Sequence, residues 1–148
     1  MKRYPILIAL FLVFGLTMCK EVDQEIQFHK SHEPSRASVP FSDVVETRNL
    51  LFLTGQIGKN HTTGALVEGG IKVQTEQVIK NIRAVLNHHD LDLDQVVKCT
   101  VILRDIEDFN DFNTVYKRYF TKKPARTTFA ASGLAGGASI EIDVIAAK

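Results

Sequence analysis

The stretch PARTTFAASGLAGGASIEIDVIAAK, residues 124–148, constrains this chain more than any other, because period-2 alternation fixes which side chains share a face. Pro124 stops the helical segment before it and alternation starts at Ala125. Arg126 and Thr128 then fall on one face of a strand. In the following strand Glu141 and Asp143 oppose the apolar set Ile140, Ile142 and Val144. The small-residue patch Ser132–Ser139, with Gly133, Gly136 and Gly137, reads as the connection of a hairpin between the two. A guanidinium in a strand needs a partner, either an acidic neighbour in a structural salt bridge or the carboxylate of a small organic acid, which its planar fork binds bidentately.

Upstream, Asp43–Thr47 and Leu50–Ile57 form an opening strand pair with a turn at Arg48-Asn49, and Gly58–Gly70 is a glycine-rich loop containing His61. Val78, Ile79, Ile82, Val85 and Leu86 recur at helical spacing, with Thr75 in position to cap the start. A second helix buries Phe109, Phe112, Tyr116 and Tyr119-Phe120, and the apolar strand Val96–Leu103 lies between the helices. The order is ββαβαββ with one apolar stripe per helix, so both helices can cover one face of a single mixed sheet in an α+β fold. Apolar residues on the other face call for a partner.

Four motifs in order, LLFLTGQIG, DFNDFNTVYKRYF, PARTT and SIEIDVIA, resemble the reactive intermediate deaminase (Rid, YjgF-like) family from about Pro40 onward. The resemblance implies the chorismate-mutase-like fold and a homotrimer with pockets at its subunit interfaces. It also implies hydrolysis of a 2-imino acid or its enamine to a 2-oxo acid and ammonia, with no cofactor. Carried over position by position, Arg126 matches the arginine that clamps the substrate carboxylate and Glu141 the glutamate that holds the attacking water. Asn113 matches a pocket asparagine, and Thr54, Gly55 and Gln56 match the strand-end segment that lines the site. Two positions depart from the pattern. Phe41 stands where the deaminase branch usually has tyrosine, and Thr128 where it often has cysteine. A trimer of the same family that binds small carboxylates without turnover is the alternative.

Of the 148 residues 45% are hydrophobic and 24% charged, which suits one globular domain, expected over residues 39–148. A formal charge of +1 gives no electrostatic footprint for nucleic acid, and a ribonuclease activity, as in some relatives, fits it badly. Cys99, in VVKCTVIL, reads as a small buried hydrophobe. His88-His89 end the first helix, where its dipole and solvent account for them. His29, His32 and His61 show no ligand spacing, so no metal is expected.

Lys2 and Arg3 precede the apolar run Tyr4–Met18, which matches the h-region of a secretory signal over residues 1–19. LTMC resembles a lipoprotein box with Cys19 as the lipidated residue, although Met18 departs from it; cleavage after Cys19 and a retained anchor stay open. The chain is therefore expected to be exported, periplasmic or lipid-anchored to a membrane. Residues 20–38, polar and poor in large apolar groups, read as a linker.

Overall fold

The computed structural model describes residues 25–148; the expectations for residues 1–19, Cys19 included, fall outside them. Six strands, β1 (Gln27–His29), β2 (Val44–Thr47), β3 (Leu50–Ile57), β4 (Val96–Leu103), β5 (Ala125–Ala130) and β6 (Ile140–Ala147), form one sheet in the order β1-β2-β3-β6-β4-β5. Only β4 and β5 pair in parallel. Helices α1 (Gly70–His88) and α2 (Phe109–Tyr119) make the two long connections. The α+β class and the ββαβαββ order hold, with β1 added at one edge.

One set of alternating strand residues, among them Leu51, Leu53, Cys99, Val101, Ile142 and Val144, packs against Val78, Ile82, Val85 and Leu86 of α1 and Phe112 and Tyr116 of α2 in a single core. Cys99 is buried there, as expected. The opposite sheet face carries no helix and leaves Phe52 and Phe129 exposed. Thr75 does not cap α1. Two left-handed glycines, Gly69 and Gly70, start the helix one turn earlier, and the Thr75 hydroxyl donates to the Ile71 carbonyl at 2.7 Å within it.

Two expectations are corrected. β5 and β6 are not a hairpin, since β4 separates them. The last strand, apolar on every helix-facing position, takes the central slot where both edges are hydrogen-bonded, while the more polar β5 takes the rim. Left-handed Gly136 and Gly137 turn the chain between them. The linker expected over residues 20–38 is also shorter than supposed. Gln27–His29 pair with β2, and Pro34–Arg36 form a turn whose arginine reaches the buried Asp43 at 2.8 Å. The few residues of this segment that enter the fold do so by strand pairing and an ion pair, which composition does not register.

Candidate functional site

At the end of β3 the β3–β6 ladder shifts register between Leu53 and Gln56, a bulge that takes Thr54 and Gly55 out of the pairing. The Thr54 amide donates instead to the Asp43 carbonyl at 3.0 Å. The bulge gives room to Glu141 of β6. A side chain at Gly55 would run into the Glu141 carboxylate, so only glycine lets that group lie against the backbone. Burial, and then the charge of Asp143, push the Glu141 carboxyl above its ordinary range.

This carboxylate lines a cavity of about 440 Å³ with Phe41, Thr54, Gly55, Gln56, Ser35, Arg36 and His61. Its polar frame is internal to the chain. Arg36 pairs with Asp43 at 2.8 Å, donates to Gln56 Oε1 at 2.9 Å, and stands 5.9 Å over the Phe41 ring. Gln56 is 2% exposed, so its side chain serves this frame. Burial, reinforced by the charge of Arg36, lowers the pKa of His61 and favours its neutral form.

The other three candidates stand elsewhere. Arg126 pairs with Cys99 across the β4–β5 ladder, which sets it on the helix-covered face, whereas Glu141 opposes Ile102 on the free face. The shared charged patch expected from a hairpin is therefore absent within one chain. The Arg126 guanidinium sits over aromatic rings of α2, 5.0 Å from the Phe112 centroid and 4.6 Å from that of Tyr116, with Phe109 at 5.7 Å. Among the described residues no carboxylate pairs with it. Thr128, two residues on, holds a buried hydroxyl without a hydrogen-bond partner. Asn113 is half-buried on α2, one turn from both Phe109 and Tyr116. Cys99 accepts from the Tyr116 hydroxyl at 3.2 Å, and burial pushes its thiol up to about 11, which removes it as a nucleophile at neutral pH.

Five of the eight candidates thus share the cavity and three share the rim strand and α2. Arg36 and His61 were missed as lining residues of the cavity, and Asp43 as the buried partner of Arg36. Arg36 carried no signal, because it sits in a stretch whose polar composition reads as linker.

The family model described as Endoribonuclease L-PSP matches residues 30–148. The chain belongs to that family, the Rid (YjgF-like) family. Over 110 residues it is 44% identical to a RutC family protein of Pyrococcus horikoshii, covering 74% of this chain and 87% of the relative. It is 39% identical over 108 residues to the human 2-iminobutanoate/2-iminopropanoate deaminase, covering 72% and 79%. Among solved structures, the Escherichia coli YjgF gene product superposes with a TM-score of 0.75 at 28% identity, covering 82% of this chain and 98% of that one. Rid proteins are typically small homotrimers that bind small molecules.

These relatives overturn the expectation of an exported, periplasmic or lipid-anchored protein, since the archaeal, human and yeast family members are cytosolic Rid proteins. Among the described residues no helix is long and apolar enough to cross a membrane.

Proposed function

We propose that this chain is a hydrolytic deaminase of 2-imino acids, acting as a homotrimer in which the Arg126 strand of one copy completes the Glu141 cavity of the next. The observation that carries this reading is Glu141 itself: a carboxylate held against glycine at a cavity wall, with its pKa raised towards neutrality. Such a group can orient a water and accept its proton. Water adds to C2 of the imine as one of its protons passes through Glu141 to nitrogen, giving a carbinolamine. The carbinolamine hydroxyl then gives up its proton, again through Glu141, to nitrogen as the C–N bond breaks, which releases ammonia and leaves the 2-oxo acid. An imine carbon is already electrophilic, so orientation supplies most of what the reaction needs. Arg36, which lines the same cavity, is neutralised by Asp43, whereas Arg126 has no such partner among the described residues. That difference supports Arg126 as the partner of the substrate carboxylate, with Asn113 and Thr128 beside it. The human relative named as a deaminase supports the reaction class.

The test couples an amino acid oxidase, which generates the imine, to semicarbazide trapping of what survives. Arg126→Ala should lower kcat/KM about 10- to 150-fold, the equivalent of a lost charge-assisted contact of about 1.5–3 kcal/mol, and Glu141→Ala should lower kcat. Co-assembled one to one, the two inactive variants should recover about a quarter of wild-type sites, since each site draws its arginine and glutamate from different copies. No recovery in mixed trimers would sink the composite site. A wild type without turnover on aliphatic, aromatic or acidic imines would instead favour the alternative, a trimer that binds small carboxylates without turning them over.

A further inference from the structure

The far edge of the sheet holds a second cluster that the deaminase reading does not use. His29 of β1, Glu46 of β2 and His89, which follows α1, each turn a potential ligand atom inward, and the three atoms lie within 4.8 Å of one another. His29 Nε2 is 3.4 Å from Glu46 Oε2, and the His29 and His89 rings meet edge to face with centroids 4.8 Å apart. His29 Nε2 is buried and makes no well-formed hydrogen bond, its contact with Glu46 being the long 3.4 Å one. An imidazole nitrogen in that state leaves a strong polar group unsatisfied unless something binds it. Two more histidines stand alongside: His88 contacts His89 at 5.5 Å and stacks on His32 at 4.7 Å. Packing alone gives no reason to gather four imidazoles that repel one another whenever two are protonated.

We propose that His29, Glu46 and His89 form a binding site for one divalent transition-metal ion of the zinc class. Two imidazoles and one carboxylate are a ligand set such an ion accepts, with water in the fourth position. Ligand atoms about 2.0–2.2 Å from a tetrahedral ion stand about 3.4 Å apart. The His29–Glu46 pair already has that spacing, and His89 closes the triangle by turning about its side-chain bonds. The site lies at the carbonyl end of α1, the negative end of the helix dipole, which favours a cation. The Lys148 ammonium rests on Glu46 and is the cation that an incoming ion would have to displace. A bound ion would join β1, β2 and the end of α1, fastening the segment that runs on to Arg36 and the cavity wall. This site stands apart from the deaminase chemistry, so either reading can fail alone.

The experiment is zinc titration of the full chain, carrying no histidine tag, by calorimetry, with cobalt(II) absorption as a report on geometry. The wild type should bind one zinc ion per chain with micromolar affinity and give the intense visible bands of four-coordinate cobalt. His29→Ala and His89→Ala should each weaken zinc at least tenfold, Lys148→Ala should tighten it by freeing Glu46, and His32→Ala should leave it unchanged. No saturable binding by the wild type, or binding indifferent to both His29 and His89, would overturn the site. Should a variant fail to fold, the wild-type cobalt spectrum decides: weak octahedral bands overturn the proposal.

Discussion

The cavity around Glu141 and the aromatic seat of Arg126 are built on opposite principles. The cavity balances its charge within one chain: Arg36 is ion-paired with Asp43 and donates to Gln56, and the bulge at Thr54-Gly55 makes room for a carboxylate. The rim is finished only as scaffold. Its arginine rests on ring faces that hold it without neutralising it, and the Thr128 hydroxyl beside it lacks a partner. A region whose charges are paired internally sets geometry, and one that leaves a guanidinium and a hydroxyl without such partners keeps them free to contact another molecule.

That contrast can be broken most forcefully at Arg36. Its ion pair with Asp43 is nearly dehydrated, with side-chain exposures of 13% and 3%. Arg36→Ala leaves a buried carboxylate uncompensated and should destabilise the fold by about 3–5 kcal/mol in denaturant titration. A negligible change would return residues 34–36 to the status of linker. Gly55→Ala comes next. The Glu141 carboxylate must move aside, at about 1–3 kcal/mol for an overpacked site, and imine turnover should fall with it.

Arg126→Ala should cost only about 0.5–2 kcal/mol, the range of a cation–π contact. A larger loss, or dissociation of the assembly in sedimentation, would make the arginine a structural member and remove the contrast. The smallest effect concerns pH. Because the Glu141 pKa lies above its ordinary 4.5 in the folded chain, its contribution to stability is present below that value and is lost as pH rises through the raised one. Glu141→Gln should therefore melt slightly higher than wild type at pH 7, with the gap closing near pH 4. A gap that widens on acidification would reverse the sign of the shift.

Much of this arrangement was legible because periodicity reports faces. The alternation in β6 set Glu141 and Asp143 opposite Ile140, Ile142 and Val144, and the helical spacing from Val78 to Leu86 named the buried side of α1. Periodicity does not report neighbours. Arg126 and Glu141 were each assigned to a strand with the right phase, yet nothing local says that β4 comes between them, since a strand partner is chosen by long-range packing. The same blindness hid the histidine cluster, whose members approach only when β1 docks beneath the end of α1. Of the cavity, Gly55 and Glu141 were named through family resemblance. Arg36 escaped because one arginine in a polar stretch looks alike whether solvated or paired with a buried aspartate.

The central place of β6 has a consequence for how the molecule comes into being. Strands β1 to β3 share no ladder with β4 and β5; every hydrogen bond joining the two groups passes through Ile140–Ala147. Without that segment the remaining strands make two separate groups, β1–β3 and β4–β5, each with an unpaired edge where β6 would lie. The closing step is thus the most non-local one, and it is then that the chain is most exposed to pairing with the wrong neighbour.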